Sequence, residues 1–153
     1  MRALGRGVAL AAASVAIAGI VACARPQPRT NETRLQKLNE ITALWAQIRD
    51  WRREAHMDLD PAPITMHQWR GRTVPEAARV CPESQRVPPR CDDVCSIGDA
   101  ICDNAERICT LADQLGNDHL AQEKCTSAKA SCREAKQRCC SCAAAPIPTE
   151  AEP

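Results

Sequence analysis

The sequence predicts an all-α fold: an antiparallel helical hairpin laddered by disulfides, with a third amphipathic helix docked on it. Three observations lead there. Cysteines recur at seven-residue steps in two triplets, Cys95, Cys102, Cys109 and Cys125, Cys132, Cys139. A break at Gly116 and Asp118 separates the triplets. A Leu/Ile/Trp stripe at helical spacing runs upstream, from Leu35 to Ala55. The 153 residues include 11 cysteines and 3 tryptophans but no Phe or Tyr, so large aromatic core fillers are nearly absent. That composition disfavours a large α/β enzyme and an aromatic-rich β-sandwich. The net charge of +1 disfavours a nucleic-acid binder held by bulk charge.

The amino-terminal segment points to export. Arg2 and Arg6 make a short basic start, and residues 7–24 are uncharged and rich in Ala, Val and Ile. Residues 1–22 therefore read as a secretory signal. The apolar part is short against the roughly 20 residues that span a bilayer. Ile20-Val21-Ala22-Cys23 resembles the bacterial lipobox. The resemblance implies cleavage after Ala22, acylation of Cys23 and anchoring in the bacterial cell envelope. Two or three acyl chains hold a protein on a membrane stably, where one does so marginally. Ala24, in place of Asp, is similar to the outer-membrane sorting pattern of Gram-negative lipoproteins. Cys23 apart, ten cysteines remain, the even number that five disulfides need.

The mature chain then divides into elements. Residues 23–30, with Pro26 and Pro28, form an acylated tether. Residues 31–142 make one small cysteine-rich helical domain, and 143–153 a disordered tail. Asn31 to about Ala55 reads as an amphipathic helix, because Leu35, Leu38, Ile41, Trp45, Ile48, Trp51 and Ala55 recur at three- and four-residue steps. Thr30 or Asn31 would cap it. The stripe is read as a packing face. Its rival is a membrane-surface helix beside a lipid anchor, where Arg49, Arg52 and Arg53 cluster. Residues 56–72 contain His56, His67 and Trp69 without a repeated pattern and read as a connection. Thr73-Val74-Pro75-Glu76 fits a capping box with proline near the first helical position, so a short helix is expected over 74–81.

The hairpin follows from geometry. Seven residues of α-helix return to nearly the same face, with about 20° of drift. Each cysteine triplet therefore lies on one stripe. Gly116 suits a helix C-cap and Asp118 an N-cap, giving arms near 92–115 and 119–140. In an antiparallel hairpin, facing residues have a constant sum of numbers. The pairs 109 and 125, 102 and 132, and 95 and 139 each add to 234. This predicts the rungs Cys109–Cys125, Cys102–Cys132 and Cys95–Cys139. Small neighbours flank them: Gly98, Ala105 and Ala112 on one arm, Ala121, Ala128 and Ala135 on the other. Cys91 and Cys142 continue the seam and are paired, which leaves Cys81 for Cys140. Other pairings of these four stay open at this stage, with Cys140–Cys142 the most strained.

The first arm carries a second stripe, Val94, Ile101, Ile108 and Leu115, joined by Ile97 and Leu111. The second arm has no matching aliphatics, so the 31–55 helix is the expected partner of the first. Residues 91–118 carry net −6 and residues 119–142 net +3, a bias toward pairing of the arms.

Two other functional classes, metal binding and catalysis, meet different obstacles in this sequence. Soft thiolates suit copper(I), and the Cys139-Cys140-Ser141-Cys142 cluster and the Cys91/Cys95 step could serve metal binding, copper or zinc. Against this, thiols on each arm lie ~10 Å apart along the axis, which favours isolated cross-arm pairs over shared clusters. For catalysis, His56, His67 and His119 stand apart, and neither a Ser/His/Asp pattern nor a phosphate-cradling glycine loop is present. No catalytic residue and no cofactor are expected.

The hairpin is similar in idea to the twin-cysteine helical hairpins of mitochondrial intermembrane-space proteins, but those have two pairs at wider spacing. Residues 91–109 (CDDVCSIGDAICDNAERIC) and 124–142 (KCTSAKASCREAKQRCCSC) resemble cysteine-rich lipoproteins of myxobacterial-type Gram-negative bacteria. The resemblance covers about a third of the chain. It implies an envelope lipoprotein with a structural or protein-interaction role, contacting the membrane through Cys23, and it brings no known activity.

Overall fold

The computed structural model describes residues 30–82 and 84–145, with the backbone alone for Thr30 and Asn31. The signal segment, Cys23 and its tether, the Thr30/Asn31 cap and the tail from Pro146 lie outside these descriptions. Five α-helices follow in order: α1 (Thr30–Glu54), α2 (Pro63–Trp69), α3 (Val74–Ala78), α4 (Asp92–Gln114) and α5 (His119–Ala144), with a 3₁₀ turn at Pro89–Cys91 before α4. No strand occurs among the described residues, and none of their helices is long and apolar enough to cross a membrane.

The hairpin is α4 and α5, packed along their length. Leu115 ends the first arm and Gly116 takes a left-handed φ of 62°. Asp118 then starts the second arm by accepting the Ala121 N–H at 3.1 Å. Helix α1 lies against both arms. Its polar contacts give its direction: Arg34 pairs with Asp118, Glu40 accepts from Arg107 at 2.7 Å, and Arg52 donates to Glu134 at 2.8 Å. It therefore runs parallel to α5 and antiparallel to α4. Ile41, Trp45 and Ile48 of α1 join Ile101, Ile108 and Leu111 of α4 in the core. The stripe is a packing face, with Trp45 at 7% exposure and Trp51 half-buried, while Leu35 at its start stands 58% exposed.

Four details depart from the sequence reading. The stretch read as a connection holds α2, which Pro63 starts with its fixed φ and which buries Trp69. Helix α3 stops at Ala78, short of Cys81. Arg79 turns out of it at ψ 89°, and the residue before Pro82 is biased away from helix. Helix α5 continues to Ala144, through the start of the expected tail, as a run of alanines permits. Finally, α1 is not the partner of the first arm alone. It packs on α5 as well, and α2 and α3 cover another side of α5. That makes α5 the central helix, surrounded on most of its circumference. Its small residues Ala121, Ser127, Ala128, Ala130, Ser131 and Ala135 are all buried, so helices can close on it from several directions. A Cβ placed on Gly98 would sit 3.5 Å from the Ala135 carbonyl oxygen, ordinary contact, so an alanine would fit there as well.

The end of α1 is a Schellman turn. His56 N–H donates to the Arg53 carbonyl at 3.0 Å, and Met57 N–H to the Arg52 carbonyl at 2.8 Å. His56 occupies the left-handed position, with φ 53°, where an L side chain crowds its own carbonyl. Its side chain is exposed. His56→Gly should therefore stabilise the protein by about 1 kcal/mol, read as a rise in the midpoint of chemical denaturation. An unchanged or lower midpoint would show that the turn carries no strain.

Two caps confer acid sensitivity. Thr73 and Glu76 form the expected capping box, with Glu76 Oε2 accepting the Thr73 N–H at 2.8 Å. The Thr73 backbone and hydroxyl hydrogen bonds hold the Glu76 carboxyl below its ordinary range. The Ala121 N–H, and then Arg34, do the same for Asp118. A carboxyl whose folded pKa is depressed contributes its full stability above the unfolded pKa and loses it as pH falls through the folded one. Melting temperature should thus fall below about pH 4. Glu76→Gln with Asp118→Asn should shrink the fall between pH 7 and pH 3, and an identical fall in the variant would refute this assignment.

Candidate functional site

The cysteine ladder is the first structural feature of the chemistry. The structure joins Cys109 to Cys125, Cys102 to Cys132 and Cys95 to Cys139, with Cα separations of 4.6, 4.6 and 4.7 Å. These are the three pairs with the constant sum. It also joins Cys91 to Cys142 and Cys81 to Cys140, at 5.9 and 5.4 Å. All five distances lie in the range a disulfide requires. Cys91, Cys95 and Cys139 form a second small core at the open end of the hairpin, with Val94 and Cys142 against it. The sulfurs in these bridges are not thiolates, and so are not ligands for a soft metal in this state. Among the described residues, no group of three or more His, Cys, Asp or Glu side chains is placed to hold a metal ion. The histidines stay apart, and His119 is an almost fully exposed side chain beside Glu123.

Beside the bridges lies a sizeable concavity. A groove of about 770 Å³ lies between the α2–α3 link and the turn end of the hairpin. The link contributes Arg70, Arg72 and Val74, α4 contributes Glu106 and Asp113, and α5 contributes Glu123 and Lys129. The innermost rung, Cys109–Cys125, is part of the lining. The groove thus carries both signs of charge: Glu106, Asp113, Glu123 and Lys129 on the hairpin, and Arg70 and Arg72 on the link.

Lys129 is the unusual group in this groove. It is only 7% exposed, and Nζ donates to the Arg72 carbonyl at 2.8 Å. No carboxylate lies within ion-pair distance of Nζ among the described residues. Burial pushes the ammonium below the ordinary lysine range, while Asp113 and Glu76 hold it up from further away. Trp69 braces the link from behind, with the guanidinium groups of Arg72 and Arg133 5.3 and 5.4 Å from its ring centre.

A second buried cation pins the bundle together. Arg52 is 1% exposed and donates to Glu134 Oε2 and, through Nε, to the Asp58 carbonyl at 2.7 Å. Glu134 Oε1 accepts the Ala62 N–H at 3.2 Å. One carboxylate therefore ties α1, α5 and the entry to α2.

Sequence reasoning placed neither Lys129 nor Arg52 in the interior. For Arg52 a signal existed: it falls in step with Ile41, Trp45, Ile48 and Ala55 on the apolar stripe. For Lys129 the hint was weaker, a lone cation flanked by Ser127, Ala128, Ala130 and Ser131.

No known family model, curated protein or solved structure matches the chain.

Proposed function

We propose that this chain is a lipid-anchored cell-envelope protein, exported as a precursor and acylated at Cys23, with a structural or protein-interaction role and no catalytic activity. One observation carries the reading: the five bridges use every cysteine of the chain except Cys23. Cys23 is the residue that stands at the end of the lipobox-like Ile20-Val21-Ala22-Cys23. Disulfides persist in oxidising compartments outside the cytosol, in keeping with a signal segment ahead of the ladder.

The test is fractionation and mass together. In a Gram-negative host, the wild-type chain should sediment with membranes, and Cys23→Ser should release it to the soluble periplasm. The released variant should take up no alkylating label without reductant. Membrane-bound Cys23→Ser would defeat the anchor. Several labelled cysteines, or copper or zinc bound in a native mass spectrum, would instead favour a thiol-based metal-binding protein.

A further inference from the structure

The groove beside Lys129 has a construction that the envelope reading does not use. Lys129 presents three N–H donors, and Arg72 accepts one of them within the protein. A buried ammonium without a counter-ion is costly, because the interior screens its charge poorly and water cannot solvate it fully. A negatively charged ligand group would supply what the fold withholds. Arg70 and Arg72 on the same link add to the attraction.

The rest of the lining restricts what else the ligand carries. Glu106 and Asp113 on α4 and Glu123 on α5 face the same volume. A plain anion would meet repulsion from these three carboxylates, and a plain cation would meet Lys129. A molecule with both charges satisfies both sets of side chains at once. The volume, about 770 Å³, falls in the range of ordinary small-molecule sites. In the same lining, Met66, Val74 and the Cys109–Cys125 bridge provide apolar surface for a short linking chain.

We propose that this groove binds a small zwitterion, a carboxylate or phosphate joined through a short chain to an ammonium, with its anionic group on Lys129 and its ammonium toward Asp113. Lys129 would then act as a ligand contact as well as a strut for the Arg72 carbonyl. The proposal does not depend on the lipid anchor, so it can fail while the envelope reading stands.

The test is an amide chemical-shift titration of the oxidised full-length chain with glycine and with phosphoethanolamine, which separate carboxylate from phosphate. Inorganic phosphate and ethylammonium serve as the single-charge controls. The expected result is a saturable shift with at least one zwitterion, confined to the 70–75 link and the facing residues of α4 and α5. Each single-charge control should bind at least about tenfold more weakly, the loss of one charge-assisted contact. Lys129→Met should weaken the zwitterion at least as much. If that variant does not fold, Asp113→Asn, at an exposed position, should still weaken it several-fold. The proposal is overturned if neither zwitterion gives a saturable shift, if a single-charge control binds equally well, or if Asp113→Asn and, where it folds, Lys129→Met leave the affinity unchanged. Absence of any saturable shift would leave Lys129 a strut alone.

Discussion

Replacing Glu134 with alanine should cost about 3–5 kcal/mol of folding stability, the range found when one partner of a buried ion pair is removed. The cause is Arg52. With Glu134 gone, a guanidinium that is 1% exposed keeps the Asp58 carbonyl as its remaining described acceptor. Nη1 already lacks a partner with Glu134 in place, so the site has no reserve of acceptors. The Ala62 N–H at the entry to α2 also loses its acceptor, so the damage should spread to α2. Two comparisons isolate the mechanism. Arg52→Met with Glu134→Leu removes both charges and restores apolar volume, and should cost far less than Glu134→Ala alone. Lys136→Ala breaks the pair with Asp99, whose carboxylate is exposed, and should change stability by less than about 1 kcal/mol. Denaturant melts of the four proteins supply the numbers. A Glu134→Ala loss no larger than that of Lys136→Ala would mean that Arg52 is solvated in the folded state.

Full reduction should unfold the domain near room temperature. Removing one native disulfide from a small exported domain typically costs about 2–5 kcal/mol, and whole domains are stable by only about 5–15 kcal/mol. Here five bridges go at once. The seam they leave behind consists of thiols, Gly98 and alanines, which bury little apolar surface. The larger side chains, Ile41, Trp45, Ile48, Ile101 and Ile108, hold α1 to the hairpin but do not hold the far ends of α4 and α5 together. The helical circular dichroism signal should therefore collapse on reduction. Retention of the full signal and of a cooperative melt would show that the α1 and α2 packing suffices without bridges. The nested arrangement makes a single middle rung much less important. Cys102→Ala with Cys132→Ala opens a loop of separation 30 that the rungs at separations 44 and 16 still constrain on both sides. That variant should lose less than the ~3–4 kcal/mol the chain-entropy model assigns to an isolated loop of that length.

The parts of this protein that were legible from the sequence share one physical property: they are set by local periodicity. Seven-residue cysteine steps return to one helix face whatever else the chain does, so the register of α4 and α5 could be read before any contact was known. Gly116 and Asp118 mark the turn because left-handed backbone and N-cap chemistry are properties of single residues. The Thr73/Glu76 box is local in the same way, and so is the stripe on α1. Helix α2 was missed because seven residues are too few to show a period, and its existence depends on Trp69 finding a place in the core and cover from Arg72 and Arg133.

What the chain alone determined is thus the hairpin, its disulfide register and the amphipathic helix that docks on it. Only the tertiary structure decided which helix lies at the centre. The charged, small-residue arm, which offers the fewest aliphatic side chains, becomes the core element because its alanines and serines let four neighbouring helices approach closely. The same crowding takes Arg52 and Lys129 out of water. Their burial depends on residues 82 and 57 positions away, Glu134 and Arg72, and no local pattern carries that information.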